Sequence, residues 1–126
     1  MKYEVSHYVF EKLPEVRFGI IVGKGMKNSE TTEEDSEILR VAEESLKARI
    51  PVGEIKTHED IVVYRDALRS MDINPNKYMN SVEAMSKRVL KGGALPRINA
   101  IVDRCNAISL QKVISLGGHD LKDIDD

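Results

Sequence analysis

The sequence predicts an α+β fold, and three features carry that expectation. A short β-branched run, residues 17–22, with glycines at 19 and 23, reads as a buried strand. Four later segments repeat apolar residues at helical spacing, with polar starts and glycine or proline stops. Strand and helix signals are interspersed without strict alternation, which favours a layered α+β domain over a parallel α/β one.

Taken in order, residues 3–10 alternate loosely and are expected to form a first strand, with Pro14 turning the chain over residues 11–15. Gly19, Gly23 and Gly25 invite comparison with a phosphate loop. Walker spacing requires Gly-Lys-Ser/Thr, however, and Lys24 is followed by Gly25 and Met26, so that reading is rejected. The glycines fit a bulge or a close strand approach instead. Thr32 and Asp35 form a capping box, and acids in the first turn suit the positive end of the helix dipole. Ile38, Leu39, Ala42 and Leu46 share one face of a helix expected to reach Ala48, and Pro51 and Gly53 stop it. A second helix is expected from Thr57 to the Asn74-Pro75 break, with Ile61, Tyr64, Leu68 and Met71 inward. Ser81 opens a third, burying Val82, Met85 and Val89 and ending at Gly92-Gly93. The fourth covers 98–113, and residues 122–126 form a charged, frayed tail.

A chain of 126 residues supports one core, so 1–126 is read as one domain. No apolar run reaches membrane-spanning length, and the start lacks the pattern of a signal peptide. Cys105 is the single cysteine, which suits a reducing compartment, and a cytoplasmic location is expected. His7, His58 and His119 are too scattered for a metal site, and no cofactor is implied. Net charge is −2, but its distribution is uneven. From 65 to 112 there are nine Lys or Arg against four acids, and before residue 65 there are nine against thirteen. A basic centre in an acidic chain suits a phosphate-bearing partner, although a solvated mixed-charge surface has the same counts.

The chemistry-bearing stretch is Leu95-Pro-Arg-Ile-Asn-Ala-Ile-Val-Asp-Arg-Cys-Asn106. Asn99, Asp103 and Asn106 fall at steps of four and three residues, one stripe on a helix. Such a stripe either caps nearby backbone or lines a pocket, and spacing alone favours local capping with a solvated face. Cys105, central in an apolar helix, reads as a small packing residue. Glu83 stands four residues before Lys87 and can pair with it weakly. His119 either terminates a turn or belongs to a site.

Beyond these readings, the chain resembles a known family. Arg65-Asp-Ala-Leu-Arg69, Asn74-Pro-Asn-Lys-Tyr78, Ser81-Val-Glu-Ala84, Arg88-Val-Leu-Lys-Gly-Gly93, Leu95-Pro96, Ile98-Asn99, Val102-Asp103, Asn106 and Gly118-His-Asp120 follow the order of motifs in the B3/B4 domain. That domain is the tRNA-binding and editing module of the phenylalanyl-tRNA synthetase beta chain and also occurs as free-standing proteins. Leu13-Pro14, Phe18-Gly-Ile-Ile-Val22 and Lys27-Asn28 are similar to the start of the free-standing versions.

The resemblance implies a mixed β-sheet layer with helices packed on it, as in the three-layer editing domain. It implies binding of tRNA or aminoacyl-tRNA and hydrolysis of a mischarged ester, a reaction that needs a positioned water and oxyanion donors. A non-catalytic module for a free amino acid, a small metabolite or a protein partner is the alternative. Asn106, Arg97, Asn99, Cys105 and His119 are the implied substrate-binding residues. Arg88, Lys91, Arg97 and Arg104 are the implied tRNA contacts, and Asp103, Glu83 and Pro96 are structural. Cys105 falls where many synthetases carry threonine, a stronger hydrogen-bond partner. The family's pocket histidine falls near Gly117, two positions from His119. The chain resembles the first part of the module, so its sheet is expected to have open edges and to favour a homodimer.

Overall fold

The computed structural model describes residues 1–125, and none of them lies in a β-strand. The expected α+β fold with a mixed sheet is therefore corrected: the protein is helical, with 51% of residues in helix. Five α-helices follow in order, α1 (His7–Lys12), α2 (Glu33–Arg49), α3 (Glu59–Ser70), α4 (Ser81–Leu90) and α5 (Ala100–Lys112). Short 3₁₀ turns lie at Ile55–Thr57 and Leu121–Asp123.

Neither expected strand forms, one because the segment turns helical and the other for want of a partner. Within residues 3–10, Ser6 accepts a hydrogen bond from the Tyr8 amide and caps α1, so the end of that segment is helical. Residues 17–22 stay non-helical, but no neighbouring backbone pairs with them. Among the described residues, no backbone–backbone hydrogen bond involves 17–28. A strand exists only with a partner, whereas a helix satisfies its own amides. Ile21 consequently stands 95% exposed.

The helices follow their sequence signals closely. Thr32 and Asp35 make both halves of the capping box on α2. The second expected helix begins later than Thr57, because His58 caps α3 by accepting from the Asp60 amide through Nδ1, 3.2 Å away. It also stops before Asn74-Pro75. Asp72 adopts φ 59°, and the amides of Asp72 and Ile73 close back on the carbonyls of Arg69 and Leu68. Ser81 opens α4 as expected, and Asn80 caps it by accepting from the Val82 amide. The same closing turn ends α4: Gly92, at φ 93°, bonds the Val89 carbonyl, and Gly93 bonds that of Arg88. Gly92 supplies the left-handed conformation without a side-chain penalty.

The core is built from α2, α4 and α5, with the Ile55–Thr57 turn beneath α3 and α4. Leu39, Ala42 and Leu46 of α2 meet Val82, Val89 and Leu90 of α4 and Ala107 and Leu110 of α5, closed by Ile50, Ile55, Ile61, Leu95 and Val113. Val113 holds a left-handed φ of 50°, unusual for a β-branched residue, while its side chain remains buried. No described helix is long and apolar enough to cross a membrane.

Candidate nucleic-acid interface

The polar residues that stood out in the sequence are largely joined to one another. Arg65, 6% exposed, donates through Nη1 to both carboxylate oxygens of Glu83 at 2.8 and 2.9 Å, and through Nη2 to the Asn76 side-chain oxygen. This buried pair fastens the 74–80 loop to α3 and α4. It replaces the expected Glu83–Lys87 contact, since Glu83 points inward at 1% exposure.

The Pro96 turn is fixed in the same way. Arg97 donates to Ser36 Oγ at 3.1 Å, to the Ser36 carbonyl at 3.2 Å and to the Leu95 carbonyl at 2.9 Å, and its Nη2 lies 2.9 Å from Glu43 Oε1. The other Glu43 oxygen accepts from the Leu95 amide at 2.9 Å. Asp103, fully buried, accepts from the Ile98 amide at 2.8 Å and from the Thr31 hydroxyl. It thereby ties α5 both to its own entry loop and to the segment before α2. Arg104 donates from Nε to Asp35 at 2.6 Å, with Glu34 3.9 Å from its Nη2. The Thr32 amide, then Arg104 and the Thr32 hydroxyl, hold the Asp35 carboxylate at a pKa of about 2.

The start of α5 is also occupied. Ala100 donates to the Ser29 carbonyl, Ile101 to the Asn28 side chain and Val102 to the Asn99 side chain. Those amides are unavailable to an anion. A shallow groove of about 370 Å³ runs beside them, lined in part by Met26, Lys27, Glu34, Asp35 and Arg104.

The implied substrate residues thus fall into two groups. Arg97 and Asn99 are bonded to their own chain. Asn106 and Cys105 are half-buried on α5, and His119 is exposed beyond it; none of the three side chains has a hydrogen-bond partner among the described residues. The implied tRNA contacts divide similarly. Arg97 and Arg104 are ion-paired, whereas Arg88 and Lys91 are exposed and unpaired at the C-terminal end of α4.

Pairing sharpens the charge imbalance between 65 and 112. Arg65 and Arg69 are neutralised within that stretch by Glu83 and Asp66, and Arg97 and Arg104 by acids of α2. Lys77, Lys87, Arg88, Lys91 and Lys112 have no carboxylate partner among the described residues. Against them stands one exposed, unpaired acid, Asp72. Glu83 and Asp103 are buried and Asp66 is exposed but paired, so the unpaired charge of this stretch is mostly positive.

Reading from the sequence missed the roles of Asn28, Thr31 and Glu43. Glu43 had a signal, since it lies on the same helical face as Leu39 and Leu46 and a carboxylate there needs a buried partner. Asn28 and Thr31 act across more than seventy residues of sequence and carried no local signal.

The helices are held by internal ion pairs, and Arg88 and Lys91 remain exposed and unpaired at the end of α4. The chain belongs to the B3/4 domain family, whose model matches residues 63–126. That membership sets it in a tRNA-synthetase-related context. No curated protein and no solved structure matches the chain.

Proposed function

We propose that residues 1–126 act as one domain that binds tRNA or aminoacyl-tRNA in the cytoplasm, seating phosphates on the unpaired cations of α4 and the loop before it. The observation that carries this reading is that, among the described residues, five cations between 65 and 112 lack a carboxylate partner while one exposed acid there is unpaired. Neutralising phosphates there releases condensed counterions, which drives binding at moderate salt. Arg88 and Lys91 supply that charge. Arg97 and Arg104 support it indirectly, by fixing the α2–α5 frame through Glu43 and Asp35.

Hydrolysis of a mischarged ester is the finer reading, and it rests on Asn106, Cys105 and His119. Engagement of Arg97 and Asn99 within the chain favours the alternative, a module that binds without hydrolysing. The exposed apolar segment 17–22 supports a homodimer formed through its unpaired backbone; a monomer at every concentration in size-exclusion chromatography would remove that element.

A filter-binding titration with tRNA over a salt series tests the main proposal. Lys91→Ala and Arg88→Ala each weaken binding and lower the salt slope by about 1. Affinity indifferent to both changes would sink the proposal. Mixing the protein with mischarged aminoacyl-tRNA and following deacylation separates the two finer readings: acceleration over buffer supports hydrolysis, and retention without acceleration supports binding alone.

A further inference from the structure

Tyr78 is the one strongly exposed aromatic residue of the helical body. Of the six aromatic side chains, Tyr3, Tyr8, Phe10 and Phe18 precede α2, and Tyr64 is half-buried with its hydroxyl accepting from the Ser115 amide at 2.9 Å. Tyr78 is 60% exposed, and the Lys77 ammonium sits 5.3 Å from its ring centroid.

The loop that holds Tyr78 is built with unusual care for a surface turn. The Asn74 side chain accepts from the Asn76 amide at 3.0 Å, and the Asn74 carbonyl accepts from the amides of Lys77 and Tyr78 at 3.1 and 2.9 Å. Pro75 is buried beneath the turn. The Arg65–Glu83 pair reaches the loop through Asn76, and Asn80 starts α4 two residues beyond Tyr78. An exposed ring on a loop so fixed loses little freedom when something lies against it.

The surroundings choose the occupant. Tyr78 stands at the N-terminal end of α4, and the unpaired Arg88 and Lys91 stand at the other, about 15 Å along the helix axis. An exposed ring at one end of α4 and unpaired cations at the other match the parts of a single-stranded nucleic acid, bases for the ring and phosphates for the cations. We infer that Tyr78 is a stacking platform for an unpaired base of the bound RNA. The inference rests on the RNA-binding reading above and names the class of RNA, single-stranded, that this flank takes.

The probe is an unstructured ten-nucleotide oligoadenylate, followed by anisotropy of an end label against the wild-type chain, Tyr78→Ala, Tyr78→Phe and Lys91→Ala. The expected result is a loss of about 5- to 150-fold in Tyr78→Ala, the range for one stacked base. Tyr78→Phe binds within about two-fold of wild type, because stacking needs the ring and not the hydroxyl. Tyr78→Ala keeps the wild-type salt slope, whereas Lys91→Ala lowers it. Quenching of tyrosine fluorescence on binding, readable because the chain has no tryptophan, is lost in Tyr78→Phe and supports contact with the ring. If Tyr78→Ala binds as wild type does while Lys91→Ala binds weakly, stacking is overturned and the RNA-binding reading stands. If wild type captures neither oligoadenylate nor tRNA at low salt, both are overturned.

Discussion

Residues 16–22 are mostly apolar and helix α2 is mostly polar, yet it is α2 that buries apolar side chains. Ile21 is 95% exposed, while Leu39, Ala42 and Leu46 of α2 are wholly buried. Apolar content alone would predict the reverse. The difference lies in where the backbone groups go: α2 satisfies its amides internally and is then free to turn one face onto α4 and α5. The earlier segment is extended and needs a neighbour to pair with before it can bury anything. The helices thus bury their apolar faces against one another, and residues 17–22 do not.

Several substitutions test that contrast. The largest effect is expected from Glu83→Ala, which strands the Arg65 guanidinium in the interior and destabilises by about 3–5 kcal/mol in denaturant unfolding. Replacing both partners with apolar residues of similar size should recover most of that loss, because the desolvation of two charges is removed together. A Glu83→Ala protein as stable as wild type would show that the pair does not organise the body. Next comes Leu39→Ala, expected to lose about 2–5 kcal/mol, against Ile21→Ala, expected to change stability by less than about 0.5 kcal/mol. Comparable losses at both positions would mean that the arm is packed in solution.

Acid titration gives a third comparison. The Asp35 carboxylate is held at about 2, against an ordinary value of 3.8. A lowered carboxylate pKa contributes stability that is fully present above the unfolded-state value and is lost as pH falls through the folded one. The melting temperature of the wild type should therefore drop between about pH 4 and pH 2, and Asp35→Asn should flatten that part of the profile. The smallest effect is expected at Asp72, which holds a left-handed backbone at the end of α3. Asp72→Gly removes that restriction and should stabilise by up to about 1 kcal/mol, readable as a small rise in melting temperature.

These contrasts also explain how much was legible in the sequence. Helices α2 to α5 could be read from apolar spacing and caps, because both signals are local; Thr32–Asp35 and Gly92-Gly93 behave as their residue types demand. The sheet could not be read correctly, since β-branched composition records a preference for pairing and not the presence of a partner. At the site, the stripe of Asn99, Asp103 and Asn106 was visible and its spacing favoured capping, but the choice of partners was not legible. That choice depends on Thr31, Asn28 and Glu43, which reach the stripe and its entry loop only through tertiary packing. Arg88 and Lys91 were named from motif and charge. Their freedom became apparent only once the acids were seen to be engaged elsewhere.

Gly93 gives the closing turn of α4 a wider reach than its size suggests. A β-carbon there would come within 3.1 Å of both the Arg88 carbonyl oxygen and the Arg88 Cγ. Any bulkier residue at that place must push the arginine aside or loosen the turn. The aim of the cation and the shape of the bend are thus a single mechanical variable, and even an uncharged change at position 93 would reset where the positive charge points.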